Sequence, residues 1–375
     1  MKIIDVRSYP LSYKMEEPIW DAKYFISQRN CVLVEIKTDE GINGFGEAAC
    51  FGGPPVSTTT ILEKEIKPLI LDKNPLDREF IWNEVYQKTM QHGRKGIVIH
   101  ALSGIDQALW DILGKKVSLP VYKLLGGYKD KLDAYASGGF YSEKTDLKGI
   151  VEEMVSYVEE GFKAVKMKVG RLSLKEDIER VKAVRKEIGD DNIKLMIDAN
   201  GALDTKSALK MARELSGENI FFFEEPVSPS NLEGSALIRN NTDIRIAGYE
   251  NEFTKFGFKE ILMKEAVDIV QADATWCGGI TEAKKIADMA DAWNKPFAPH
   301  AYSSIFSLFS NMHLTAAIPN GLFIEIDQNP NPLRSQLIKG GFTVDLDKEG
   351  KIALPQEPGL GIEIDEKILN KYLIK

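Results

Sequence analysis

The chain is short of the residues that several common functions require. Its 375 residues include three cysteines, Cys31, Cys50 and Cys277, odd in number and far apart, so neither a disulfide framework nor a paired-cysteine metal or redox motif can be drawn. Positive charge is in deficit, with 48 Lys and Arg against 56 Asp and Glu and a net charge of −8. A binder of nucleic-acid backbone needs a basic stripe, so a nucleic-acid partner is excluded. No uncharged apolar run reaches the ~20 residues of a membrane span. The opening MKIIDVRSYPLSYK also lacks the apolar core of a signal peptide, which predicts a cytoplasmic protein with no membrane partner. Small-molecule chemistry remains.

From Leu132 to Asp327 one pattern recurs: a short apolar run, a polar or charged residue at its end, then an amphipathic helical stretch. The runs are LDAYASGGF, AVKMKVG, KLMIDAN, FFFEEPV, RIAGYE, VDIVQAD, PFAPHAY and GLFIEID, with helical patterns such as LKEDIERVKAVRKEI between them. Eight such units predict an α/β fold, a parallel (β/α) barrel of the TIM type, since strands buried on both faces alternate with helices only in parallel architectures. No glycine-rich phosphate loop follows the first of these strands, which argues against a dinucleotide fold. The chain therefore divides as 1–125, an α+β unit; 126–335, the barrel; and 336–375, a C-terminal segment expected to pack back on the first unit. In that first unit MKIIDVRSYPLSY, NCVLVEIKTDEG and INGFGEAAC read as three antiparallel strands, followed by helices at about 57–71, 79–90 and 96–116.

Asp198, Glu224, Glu250 and Asp273 each end a strand candidate. In a parallel barrel every strand C-terminus opens on one face, so these residues become neighbours. Taken singly, each carboxylate could cap the following helix. Asp198, Glu224 and Glu250 on three consecutive strands point instead to a divalent cation, and an all-oxygen set favours Mg²⁺, or Mn²⁺, over zinc. Lys166 and Lys168 lie two apart on the second strand, so both face the interior, where desolvation and positive neighbours would lower a lysine pKa and provide a base. His300, ending the strand beside that of Asp273, forms with it a candidate acid/base dyad. His92, His100 and His313 read as structural. Glu325 on the eighth strand closes the ring, with Asp327 as the rival on the same strand face.

As an ensemble, Lys166 and Lys168, Asp198 with Asn200, Glu224-Glu225-Pro226, Glu250-Asn251, Asp273, His300 and Glu325 resemble the enolase superfamily, and within it the mandelate racemase subgroup. The resemblance covers nearly the whole chain and implies a modified (β/α)₇β barrel with an α+β capping domain. By that likeness Asp198, Glu224 and Glu250 bind Mg²⁺, and Lys168 and His300 face opposite sides of the substrate. Lys166 assists, Asp273 orients His300, and Glu325 hydrogen-bonds the substrate carboxylate. The family's substrate loops would here be KMEEPIWDAKY, with Trp20, and ACFGGPP; Asn200 joins Trp20 and Glu325 as a substrate contact. A homo-oligomer is also implied.

Such a ring suits removal of the proton beside a carboxylate, with Mg²⁺, Lys166 and a protonated Glu325 offsetting the charge that develops. HGRKGIVIHALSGIDQALWDILGKK, ADATWCGGITEA and NPNPLRSQL look most like aldonate dehydratases and sugar-lactone cycloisomerases. The implied reaction is dehydration of a sugar acid to a 2-keto-3-deoxy acid, with racemisation or epimerisation and lactone cycloisomerisation as alternatives.

Overall fold

The N-terminal alternation folds as an antiparallel sheet of three strands, β1 (Ile3–Trp20), β2 (Phe25–Thr38) and β3 (Gly44–Ala49), in that spatial order. A computed structural model of the chain describes residues 1–50, 53–189 and 192–374. Because β1 is an edge strand, Pro10 and Pro18 fit within it without breaking an interior ladder. The expected first strand stops at Tyr13 and gives way to a loop, but the hairpin runs on to Trp20 and resumes at Phe25 after a register shift between Lys14 and Ile19. Docking explains the extension: Met15 and Ile19 are buried with Phe140 and Tyr302 of the second unit, and that contact holds the segment extended.

Helices Pro55–Ile61, Lys67–Ile70, Arg78–Thr89 and Ile97–Val117 complete the first unit, with a π-helical stretch, Leu62–Ile66, joining the first two. The longest helix lies so close to β3 that a Cβ on Gly46 would stand 2.2 Å from the Gly104 carbonyl oxygen. Glycine at both contact points lets strand and helix backbones meet.

The repeated pattern forms a curled parallel sheet. Strands β4 (Lys131–Ser137), β5 (Ala164–Lys168), β6 (Lys194–Asp198), β7 (Ile220–Glu224), β8 (Arg245–Gly248) and β9 (Ile269–Val270) pair in sequence order, and β10 (Ile324–Asp327) pairs back on β4. The expected seventh strand, PFAPHAY, is reduced among the described residues to bridges from Phe297 to Val270 and Gly321. Pro296 and Pro299 bring no N–H, so a full ladder cannot form there. Helix starts between the strands are fixed locally: the side chains of Asp146, Ser173, Asp204 and Asn231 each accept a backbone N–H from the following first turn. No helix among the described residues is long and apolar enough to cross a membrane.

The segment after β10 reaches both sheets. Strand β11 (Lys351–Ala353) pairs antiparallel with β4, while the Leu360 N–H donates to Asp111 on the long helix at 2.9 Å and the Ile374 N–H to the Pro10 carbonyl at 2.8 Å. His313, fully buried on helix Ile305–Ala317, ties this region together: its Nδ1 accepts from the Tyr122 N–H and its Nε2 donates to the Leu360 carbonyl, both at 3.2 Å.

Burial pushes His313 down to about 4, so the folded chain keeps it neutral where the unfolded chain protonates it. Its stabilising contribution is therefore complete above the ordinary histidine value and is lost as pH falls from about 6.5 towards 4, to the extent of about 3 kcal/mol. Urea unfolding at pH 7 and pH 4.5 is expected to show a smaller loss of stability for His313→Gln than for the wild type. Equal losses in the two proteins would count against this linkage.

Candidate active site

Residues two apart on a strand share one face, and in this barrel that rule builds two layers. Tyr135, Ala164, Met196, Phe222, Ala247, Ile269, Ala298 and Phe323 pack as an apolar floor. Two residues further along six of the eight segments stand Lys166, Asp198, Glu224, Gln271, His300 and Glu325, all buried. Lys168 and Asp273 lie one more step towards the mouth. The chain turns sharply where three of these strands end, with Asn200 (φ 43°), Glu225 (φ 36°) and Tyr249 (φ 76°) left-handed. Each such residue costs roughly 1–2 kcal/mol, and strain of this kind gathers at functional sites.

Lys166 sits among three carboxylates: its Nζ is 2.7 Å from Glu224, 2.8 Å from Glu325 and 3.9 Å from Asp198. Lys168 contacts Asp198 at 2.5 Å. The expectation of a lowered lysine pKa is not met in the chain alone. Burial pulls Lys168 down, but Asp198 and then the other carboxylates more than offset it, and the net shift is upward; Lys166 behaves likewise with Glu224 and Glu325.

Glu325 also departs from expectation. Burial raises it, yet the charges of Lys166 and His300 hold it well below the usual carboxylate range. It is an ionised acceptor, not a protonated donor: Lys166 takes one oxygen and the Ala301 N–H the other, at 3.1 Å.

Across the barrel from Lys168, the His300 Nδ1 lies 2.9 Å from Asp273 Oδ2, and its Nε2 lies 3.5 Å from Glu250. The other oxygen of Asp273 accepts from the Thr275 N–H, the Thr275 hydroxyl and the Asn311 amide, which fixes the carboxylate that orients the ring. Burial lowers His300, but Glu250, the Asp273 hydrogen bond and Glu325 raise it to about 10. Asn200 donates its backbone N–H to Asp198 at 2.8 Å and keeps a buried side-chain oxygen with no partner, free to accept from a hydroxyl.

Trp20 is not brought onto this ring. Its ring packs at a tilt against Phe25 and lies under the Arg171 guanidinium, and it lines a cavity of about 480 Å³ with Tyr141, Glu176 and Arg180, to which no residue of the charged layer contributes. In the second expected substrate loop, Phe51 and Gly52 lie outside the described residues. Sequence reading missed Gln271, Asn311 and Tyr302. A period-two count back from Asp273 would have found Gln271, and one forward from His300 would have found Tyr302; Asn311 lies on a helix and leaves no such signal.

Two family models match the chain: the mandelate racemase/muconate lactonizing enzyme N-terminal domain over residues 3–126, and the enolase C-terminal domain-like family over residues 149–368. The chain belongs to the enolase superfamily. Within it, the chain is 41% identical to the arabinonate dehydratase of Saccharolobus solfataricus, covering 100% of both chains. It is 33% identical to the D-galactarolactone cycloisomerase of Agrobacterium fabrum, covering 99% of both. Among solved structures, the 3,6-anhydro-D-galactonate cycloisomerase of Zobellia galactanivorans superposes with a TM-score of 0.90 at 36% identity over 100% of both chains. A Streptomyces coelicolor racemase solved with bound magnesium gives 0.90 at 26% identity, covering 99% of this chain and 100% of its own.

The donor set of this superfamily member suits a hard cation. Among the described residues no three ligand groups crowd one point as metal ligands would; the two ammonium groups hold Asp198 and Glu224 instead. Even so, Glu224 Oε1 is buried with no partner, and burial, then Asp198 and Glu250, push that carboxyl up, the mark of negative charge in want of a cation. Mg²⁺ is expected to raise the melting temperature, since a cation at a hundred times its Kd adds about 2.7 kcal/mol. Glu224→Gln should remove most of that rise, and an undiminished Mg²⁺ response in the variant would take Glu224 out of the set.

Proposed function

We propose that the protein is an acid-sugar dehydratase: it takes the proton beside the carboxylate of an aldonate and expels the β-hydroxyl, giving a 2-keto-3-deoxy acid. The observation that carries the reading is the placement, across one buried ring, of Lys168 beside Asp198 and of a His300 held by Asp273. The 41% identical arabinonate dehydratase supports the same class.

Asp198, Glu224 and Glu250 hold Mg²⁺, or Mn²⁺, in this reading. When bound, the cation supplies positive charge to the substrate carboxylate and so acidifies the neighbouring C–H. The chain's own groups do the rest. Lys168 is the base on one side; it is charged while Asp198 pairs with it, so engagement of Asp198 elsewhere is what frees it to accept a proton. Lys166 lies deeper, fixed by Glu224 and Glu325, and its positive charge stabilises the enediolate as negative charge grows on the carboxyl oxygens. Glu325 acts on the substrate through Lys166, which it orients. His300 gives its proton to the departing hydroxyl, so water leaves and the resulting enol becomes the ketone. Asn200 offers its free oxygen to a substrate hydroxyl. Homo-oligomerisation and a cytoplasmic setting belong to the same reading.

A second reading has support from relatives, because the 33% and 36% identical proteins are cycloisomerases. These reactions also begin with proton transfer beside a carboxylate, and the products separate them. With Mg²⁺ in D₂O, a panel of mono- and diacid sugars and their lactones is expected to yield a 2-keto-3-deoxy acid from at least one aldonate. His300→Asn should lose at least about 10²-fold in kcat, the usual weight of a positioned acid, and Lys168→Ala should fall comparably. No dehydration across the panel, with lactone isomerisation instead, would replace the dehydratase by the cycloisomerase.

A further inference from the structure

Gln271 is fully buried and belongs to the charged layer, two residues above Ile269 of the apolar floor. Packing alone does not call for an amide there, since the same interior accepts Ile, Met and Phe one layer below. Its Nε2 donates to Glu224 Oε2 at 3.0 Å, and the same oxygen receives Lys166 at 2.7 Å. A carboxylate can only accept, so the amide must turn its NH₂ to Glu224. That orientation leaves the Gln271 carbonyl oxygen buried without a partner, a cost the fold carries in order to keep the contact. Strand β8 lies between β7 and the Gln271 segment, so the amide reaches past it to Glu224.

We infer that Gln271 is a positioning residue for a metal ligand: with Lys166 it occupies Glu224 Oε2 and so leaves Oε1 as the single oxygen that carboxylate presents to a divalent cation. The inference rests on the metal reading above and adds to it which oxygen binds and what fixes it. The two donors hold the carboxylate against rotation, and the oxygen they leave over, Oε1, is the one found buried without a partner. Hydrogen bonds behind a metal ligand typically account for ten- to a hundredfold in metal affinity.

The test uses Mn²⁺ as the probe, with free Mn²⁺ measured by electron paramagnetic resonance on the whole protein. Gln271→Met keeps the length of the side chain and Gln271→Leu is a shorter apolar replacement; two variants guard against one failing to fold. Both remove the donor together with the unsatisfied carbonyl, so the metal-free melting temperature should stay close to that of the wild type. The Mn²⁺ Kd is expected to rise ten- to a hundredfold. A folded variant with a Kd within twofold of the wild type overturns the inference alone, and so does a variant with a much lower metal-free melting temperature and an unchanged Kd, which would mark a purely structural role. A wild type that binds no Mn²⁺ overturns the metal reading, and this inference with it.

Discussion

The arrangement depends on keeping several carboxylates charged inside a barrel, and Lys166 is what makes that possible. Its ammonium, 1% exposed, stands within 4 Å of Glu224, Glu325 and Asp198, which arrive on β7, β10 and β6. Buried charges of one sign are tolerated only when paired and hydrogen-bonded, and removing one partner from such a group typically costs about 3–5 kcal/mol. The lysine can reach all three because β10 closes on β4 and the curled sheet becomes a ring. Closure, parity along each strand and charge pairing are therefore one constraint seen at three scales. These pairings hold the lysines charged and Glu325 ionised, whereas burial, and next Asp198, push Glu224 up against the pull of Lys166.

The first unit takes part in the chemistry by holding the loop that carries the acid. Helix Ile97–Val117 grips the residues after β9: Ser103 accepts from the Gly278 N–H, Asp106 from the Thr281 N–H, and Gln107 donates to the Ala274 carbonyl, next to Asp273. Glu47 of β3 accepts from Ser304 and from the Ser307 N–H at the start of the helix that carries Asn311, itself a donor to Asp273. The Asp273–His300 pair is thus braced from both sides, and its geometry is set before any substrate arrives.

Much of the site was legible because a barrel turns sequence spacing into proximity. Asp198, Glu224, Glu250 and Asp273 stand out as charges at the ends of apolar runs, and Lys166 with Lys168 as a period-two pair; no contact needs to be known to see them. Gln271, a neutral amide in an apolar run, is placed on the ring only by its spacing two before Asp273, and its partner on β7 is known only from the structure. Trp20 stands out only by its place in an expected loop; the structure shows Met15 and Ile19 of that segment docked on Phe140 and Tyr302, and the indole against Arg171. In the chain without a cation Lys168 and Glu325 shift the other way from expectation: desolvation can be guessed from burial, whereas the opposing sum over neighbouring charges needs distances.

What the sequence determined by itself was order and side: eight strand-like runs, the helices between them, and which alternate residues face inward. Hydrophobic periodicity is a short-range property, and it survives any arrangement of the elements in space. The tertiary structure alone decided partners: Lys166 with Glu224 and Glu325, His300 with Asp273, and Gln271 with Glu224, together with the protonation states those pairings impose. Coulomb energy and desolvation change steeply over an ångström, and distances of that order are fixed only when the ring closes and the first unit docks on it.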